Sequence, residues 1–362
     1  MKSAVIDYST GGSSDRCGKG RDGSENGRAR GHTGPHNSCG CTENWAGNRC
    51  RVENGGSIVE NGGSTVENGG NTVENGGSSI VKGGSTVVKE GIIGEKVGRY
   101  VDHRKLLEDK DIDAVCIATV DHWHTPCAVD AMNLGKDVYV EKPMTRYLHE
   151  AWEIQDTVKR TGRLVQVGSQ GCSARKYHKA AEVIQSGMIG PLVMGTTSYM
   201  RNNPKGEWNY TIRDWATPDD MDWNRWMGGV NKKIPFNADH YFRWRKYYPY
   251  CAGLLGDLLP HLLHPYMLAT GAPEYPARVV SLGNKALRTD KNTPGTYERD
   301  VDENVQAIIE FPSGFNLVVA SATVNEYNMT ETIRGHHGTL LMGGIGANKI
   351  ELRPERKFSD EV

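Results

Sequence analysis

From Ser9 to Arg51 the chain contains no Val, Ile, Leu, Met or Phe. Gly, Ser, Arg, Asn and Asp dominate, and such a stretch buries too little apolar surface to offset its conformational entropy. It is expected to be disordered. From Val52 the pattern becomes periodic without becoming amphipathic. A seven-residue unit close to V-E-N-G-G-S-x recurs four times, and a frayed copy follows in VKGGSTV. An apolar period of seven suggests a coiled coil, but the paired glycines in each unit would cost a helix ~2 kcal/mol per repeat. A flexible low-complexity segment is expected, with a short stacked β-solenoid as the alternative.

From about Gly91 the texture is that of a folded enzyme. YVDHRKLLEDKDID predicts a short helix with a polar exit. AVCIAT is a continuous apolar run, as in a parallel strand buried on both faces. Asp121 to His124 is expected to be a loop. Thr125-Pro126 then supplies an N-cap and a first-turn proline, and Gly135 stops the helix. DVYVEKP is the next strand, Thr145 or Tyr147 opens another helix, and RLVQVGS is a third strand. Strand and helix alternate, which predicts parallel strands joined by right-handed crossovers. Beyond Gly190 strands come in a run: PLVMGTTSYM, ARVVSLG, NVQAIIEF, NLVVASAT, ETIRG, TLLM and KIELR. Pro312-Ser313-Gly314 makes a hairpin of NVQAIIEF and NLVVASAT. LLGDLLPHLLHPYMLATG is a helix bent near Pro260. The expected fold class is therefore α/β: a partial Rossmann-like parallel sheet, then an α+β domain with a large, mostly antiparallel sheet. The expected boundaries are 1–94 for the low-complexity segment, 95–187 for an incomplete dinucleotide-binding domain and 188–362 for the sheet domain.

The 362 residues suffice for two domains, and the formal charge of −1 gives no electrostatic reason to expect nucleic acid or an anionic membrane as partner. No apolar run approaches the ~20 residues needed to span a bilayer, and MKSAVIDYSTGG lacks the apolar core of a signal peptide, so a cytoplasmic location is expected. Four of the eight cysteines, Cys116, Cys127, Cys172 and Cys251, are scattered singly and read as core residues or free thiols of a reduced compartment. The other four, Cys17, Cys39, Cys41 and Cys50, lie near His32 and His36, but the C-x-C-x8-C spacing fits no familiar zinc module. No metal site is expected.

Four features could carry chemistry. Lys142, in YVEKP, ends a parallel strand, where open α/β sheets bind ligands. A lysine there suits proton donation to a carbonyl oxygen, or proton acceptance from a hydroxyl. Asp257 and His261 stand four apart on a helix, so a carboxylate can orient an imidazole as acid–base catalyst. His264 extends that face, and D-x-x-x-H-x-x-H is also a conceivable metal stripe. Thr119, Asp121 and His124 follow AVCIA at the same sheet edge as Lys142. Finally, Trp208, Trp215, Trp223, Trp226 and Trp244 cluster within 37 residues. Flat aromatic faces suit sugar rings, and they equally suit the core of an irregular lobe.

AVCIATVDHWHTPCAVDAMNLGKDVYVEKPM resembles the Gfo/Idh/MocA oxidoreductases, the glucose–fructose oxidoreductase and inositol dehydrogenase group. Thr119, Asp121 and His124 meet the family's T-x-[ND]-x-x-H pattern, and Glu141, Lys142 and Pro143 its E-K-P. IQSGMIGPL opens the second domain, GDLLPHLLH matches the D-x-x-x-H helix, and IRGHHGTLLM the sheet domain. The resemblance covers about residues 95–362. It implies NAD or NADP as cofactor, a sugar, polyol or related carbohydrate as substrate, and homo-oligomers formed through the sheet domain. It implies Thr119, Asp121, His124, Glu141 and Lys142 at the cofactor. Lys142 would polarise the reacting oxygen, His261 would act as general base, and Asp257 would orient His261.

The sequence departs from the family where the phosphate loop is due. An apolar strand, G-x-G-x-x-G and a helix are expected near residues 55–65, where the heptapeptide repeat stands instead. Gly18, Gly20 and Gly23 match the motif literally, but in apolar-free sequence with no helix pattern following. Residues 1–94 are expected not to be the family's own N-terminus, as a frame-shifted or misjoined reading frame would produce, and the end at Val362 suggests truncation. Three functions remain open: an NAD(P)-dependent sugar or polyol dehydrogenase, a glycosidase-like relative that uses bound NAD for transient oxidation, and a non-catalytic fragment without cofactor.

Overall fold

The computed structural model describes residues 3–7, 86–89, 98–213, 216–231, 233–344 and 347–360. The expected disorder of residues 9–51, the heptapeptide repeat, the cysteines before residue 51 and Trp215 lie outside the described residues.

The first sheet has six strands. They are β1 (Ser3–Asp7), β2 (Thr86–Lys89), β3 (Gly98–Tyr100), β4 (Ala114–Ile117), β5 (Asp137–Glu141) and β6 (Val165–Gly168). Their order is β3-β2-β1-β4-β5-β6. β1, β4, β5 and β6 run parallel, as alternation of strand and helix requires, while β2 is antiparallel to both neighbours. Ser3–Asp7 and Thr86–Lys89 belong to the segment 1–94, which the sequence reading set apart from the α/β domain; both are strands of its sheet. The run SAVID is short and is followed by polar sequence, so its β period is too brief to identify alone.

Helix α1 (His103–Leu107) follows β3, α2 (Asp121–Asn133) follows β4, and α3 (Leu148–Thr161) follows β5. α2 starts four residues before the predicted N-cap at Thr125. Asp121 to His124 form its first turn rather than a loop, and Pro126 sits inside the helix. Its end is as predicted. Gly135 takes φ +78°, the Gly135 N–H donates to Met132 O and the Lys136 N–H to Ala131 O, the paired bonds of a Schellman cap. Ile6, Val115, Ile117, Val138 and Val140 from the strands meet Cys127, Ala128, Ala131 and Met132 of α2 in one buried core. Each large aliphatic side chain buried there contributes about 1.5–3 kcal/mol.

α4 (Arg175–Gln185) was assigned by sequence to the first domain, with a boundary at 188. It contributes Tyr177 and Ala180 to the core of the second sheet instead. That sheet contains β7 (Leu192–Met200), β8 (Arg278–Asn284), β9 (Asn304–Glu310), β10 (Asn316–Ala322), β11 (Thr332–Gly335), β12 (Gly338–Leu341) and β13 (Glu351–Pro354). The order is β13-β12-β11-β7-β10-β9-β8, antiparallel throughout except for the central pair β7 and β10. Between β7 and β8 lie two one-turn helices, α5 (Trp223–Met227) and α6 (Ala238–Phe242). The predicted bent helix follows as α7 (Gly253–Leu258) and α8 (Pro260–Ala269), broken at Leu259. α8 packs with α4 on one face of the sheet, with Leu259, Tyr266 and Ala269 in its core.

Candidate active site

The carboxyl ends of β4, β5 and β6 meet the segment 245–264 of the second domain. Lys142 follows β5 directly, in a cis Lys142–Pro143 peptide. Its Nζ donates to the backbone oxygen of Asp257 at 2.7 Å and to Asp257 Oδ1 at 3.2 Å. Arg245 Nε donates to the same Oδ1 at 3.1 Å. One carboxylate from α7 therefore gathers two cations, one from each domain. Burial alone would raise the Asp257 pKa, but Lys142 and Arg245 outweigh it and hold the carboxyl well below the usual range.

The expected Asp257–His261 pairing differs in the structure. The helix breaks between them, and among the described residues the hydrogen bonds of the Asp257 carboxylate go to Lys142 and Arg245. His261 packs near the Tyr199 ring, with centroids 5.6 Å apart. Burial first, then the Lys142 cation, lower the His261 pKa to about 4, although the charge of Asp257 acts the other way. The imidazole is therefore neutral at pH 7 and able to accept a proton.

Asp121 and His124 face inward. Asp121 is 2% exposed, and its Oδ2 accepts the Ala252 N–H at 2.9 Å, across the domain boundary. Burial and the neighbouring charge of Asp257 raise its pKa to about 7, against Arg245 and the Ala252 hydrogen bond. His124 is buried with Nδ1 2.6 Å from Pro143 O and Nε2 3.2 Å from Thr119 O. It ties the loop after β5 to the end of β4, and burial lowers its pKa. Thr119 is 6% exposed and its hydroxyl donates to Val120 O. Glu141 is half-buried beside Gly168, where an added Cβ would lie 2.9 Å from Glu141 Oε2 and from the Tyr139 hydroxyl. Of the sequence-predicted residues, the structure brings Lys142 and Asp257 into contact at the domain boundary, with His261 near enough to feel both charges; Asp121 bonds across the same boundary and His124 is buried between Thr119 and Pro143.

The conceivable metal stripe is dispersed. Asp257 serves the two cations, and His264 Nδ1 lies 2.5 Å from Ser169 Oγ. Among the described residues no three His, Cys, Asp or Glu side chains form a metal-holding group. The four described tryptophans of the cluster are core. Trp208, Trp223, Trp226 and Trp244 are at most 8% exposed, and Trp223 stacks on Trp226 at 4.8 Å. The Trp226 carbonyl accepts from Trp123 Nε1 and lies 2.8 Å from His122 Nε2, locking the aromatic lobe onto α2. Cys172 and Cys251 carry free thiols. Sequence reasoning missed Arg245 and Ser169. Arg245 stands in FRWRKYYPY with no spacing to single it out, and Ser169 was seen only as the end of a strand.

Residues 91–169 match the family described as oxidoreductases with an NAD-binding Rossmann fold, Gfo/Idh/MocA. Among curated proteins, an α-N-acetylgalactosaminidase of Shewanella oneidensis is 31% identical over 120 residues, 31% of this chain and 26% of that protein. A glycosyl hydrolase family 109 protein of Shewanella sp. strain ANA-3 is 32% identical over 103 residues, 28% of this chain and 22% of that protein. These matches span about a quarter of the relatives' length. An NAD-binding oxidoreductase from Klebsiella pneumoniae superposes with TM-score 0.54 and 22% identity, over 72% of this chain and 61% of its own. A levoglucosan dehydrogenase solved with NADH and levoglucosan gives TM-score 0.54 and 21% identity, over 72% and 62%. At these identities the likeness shows a shared fold.

The residues fit a dinucleotide at one end of its site. Strand order reverses between β1 and β4, and ligands of open α/β sheets bind in the crevice beyond such a switch point. Lys142 lies one strand away, on the same edge, with two of its three donors engaged by Asp257. The residues that follow β1, where a pyrophosphate loop is due, lie outside the described residues.

Proposed function

We propose that this chain is an NAD(P)-dependent oxidoreductase acting on a sugar, polyol or related carbohydrate, with Lys142, Asp257 and His261 as its chemical centre. The observation that carries the reading is the Lys142–Asp257–Arg245 cluster beside a neutral His261 at the carboxyl edge of a Rossmann-type sheet. The third N–H of Lys142 is available to hydrogen-bond a substrate oxygen and stabilise charge developing there. Asp257 positions the ammonium through its backbone oxygen and its carboxylate. His261 takes the hydroxyl proton when the alcohol is oxidised and returns it in the reverse direction. Bound nicotinamide supplies the hydride acceptor or donor. Asp121, through the Ala252 N–H, holds the two domains in register around this centre. The outer face of the second sheet, where Val280, Leu282 and Ile308 are 72%, 70% and 53% exposed, fits self-association.

The names of the curated relatives favour a second reading of the same centre: a glycosidase in which oxidation is transient and the cofactor is regenerated each turnover. NADH and NADPH fluorescence titration, followed by absorbance assays with a polyol panel, separates the readings. Net NADH formation supports the dehydrogenase. Cleavage of p-nitrophenyl N-acetyl-α-galactosaminide without added cofactor supports the glycosidase. Absence of any NAD(H) or NADP(H) binding overturns both and leaves the non-catalytic reading. Lys142→Ala is expected to lower turnover by about 10²–10⁴-fold while leaving the circular dichroism spectrum unchanged.

A further inference from the structure

A second polar contact crosses the cleft beside the Lys142–Asp257 pair. Glu141 of β5 is in register with Gly168 of β6, so Lys142 and Ser169 are the next residues out on adjacent parallel strands, about 4.8 Å apart at the backbone. Both reach the same bent helix pair. Lys142 meets Asp257 on α7, and Ser169 Oγ lies 2.5 Å from His264 Nδ1 on α8. His261 lies between those two helix positions in the chain.

The Ser169–His264 contact leaves hydrogen-bonding capacity unused. Burial lowers the His264 pKa, so its ring is neutral near pH 7. Whichever atom donates in that contact, the pair keeps one polar hydrogen and one lone pair for a ligand, because His264 Nε2 has no hydrogen-bond partner among the described residues. Ser169 Oγ keeps a lone pair. The next side chain, Gln170, holds a buried oxygen with no partner, and such orphaned polar atoms call for a functional explanation. Acceptor and donor thus stand together one strand away from the ammonium.

We propose that Ser169 and His264 form a hydroxyl-binding pair, which takes a second hydroxyl of a polyhydroxylated substrate whose reacting oxygen lies at Lys142. The proposal rests on the carbohydrate reading above. It assigns to the pair the choice among substrates that share a reacting carbon and differ at a neighbouring one.

The test uses the full chain, ¹⁵N-labelled at histidine, with NAD present, titrated with D-glucose, D-galactose, myo-inositol and the monodeoxy derivatives of both hexoses. At least one parent compound should move the His264 ring resonances. Ser169→Ala should raise its Kd or KM about tenfold with kcat little changed, and Ser169→Thr should recover most of that loss. One deoxy derivative should bind wild type and Ser169→Ala equally, because it lacks the hydroxyl that Ser169 contacts. The proposal is overturned if no compound in the panel moves the His264 resonances. It is also overturned if a compound turns over but Ser169→Ala weakens every derivative by the same factor; the oxidoreductase reading then survives alone. If a sugar engages His264 and no hydride transfer occurs with NAD or NADP, the pair stands and the oxidoreductase reading fails.

Discussion

Single side chains at the cleft carry opposite proton linkages. The Asp121 carboxyl, ordinarily near 3.8, is pushed to about 7. Between those values the folded chain holds a proton that the unfolded chain releases, so this group's contribution falls as pH rises through that window. Burial moves His122 and His261 from 6.5 to about 4, and their contributions rise with pH over 4 to 6.5. The opposing slopes mask each other in the wild type, and a substitution separates them. Asp121→Asn is expected to gain stability relative to wild type as pH rises from 4 to 7, on the order of 1.4 kcal/mol per pH unit. Urea denaturation at pH 4.5 and 7.0 measures the difference, and a pH-independent difference would sink the assignment. The lowered His261 pKa also sets the acid limb of kcat/KM. If His261 is the base, the limb falls near pH 4; a limb near 6.5 would show a base that is not held in this buried, cation-facing position.

At the scale of elements, the aromatic segment between β7 and β8 is a structural clasp. Trp226 is 0% exposed, stacks on Trp223, and meets Tyr241 and Tyr250 at centroid distances of 5.3 and 4.7 Å. Trp226→Ala is expected to destabilise the chain by about 3–5 kcal/mol, seen as a lowered urea midpoint. A variant that lost sugar affinity at unchanged midpoint would restore the sugar-platform reading. The legibility of each element follows from its physics. β4, β5 and the hairpin at Gly314 were readable because apolar runs and turn residues are local signals. The start of α2 was misplaced because Thr125-Pro126 satisfies the local rules for a helix start; contacts at the domain boundary extend the helix by another turn. Lys142, Asp257 and His261 stood out by motif. The grip of Lys142 and Arg245 on Asp257 did not, because it depends on residues 115 and 12 positions away along the chain.

For the whole molecule, the two faces of the second sheet are unequal. α4 and α8 cover one, while β8 and β9 present Val280, Leu282 and Ile308 on the other, with Val280 opposite Ile308. Apolar surface of this kind is more typical of interfaces than of free surfaces. The chain is expected to elute as an oligomer in size-exclusion chromatography with light scattering, and the Val280→Lys, Leu282→Lys double variant to shift toward monomer. A monomeric wild type at micromolar concentration would refute this.

The placement of β1 has a consequence for how the first sheet can be assembled. Its hydrogen-bonding groups are shared between β2 on one side and β4 on the other, in registers fixed by Ala4 to Asp7 and by Ser3 to Ile6. Five residues, Ser3–Asp7, thus occupy an interior slot of a sheet whose other described strands begin at residue 86. A polypeptide beginning there would present two facing rows of unpaired amides and carbonyls, a slot for strand addition that an added SAVID peptide could fill in trans. The first sheet is in that sense complete only when Ser3–Asp7 lies between strands drawn from much later in the chain.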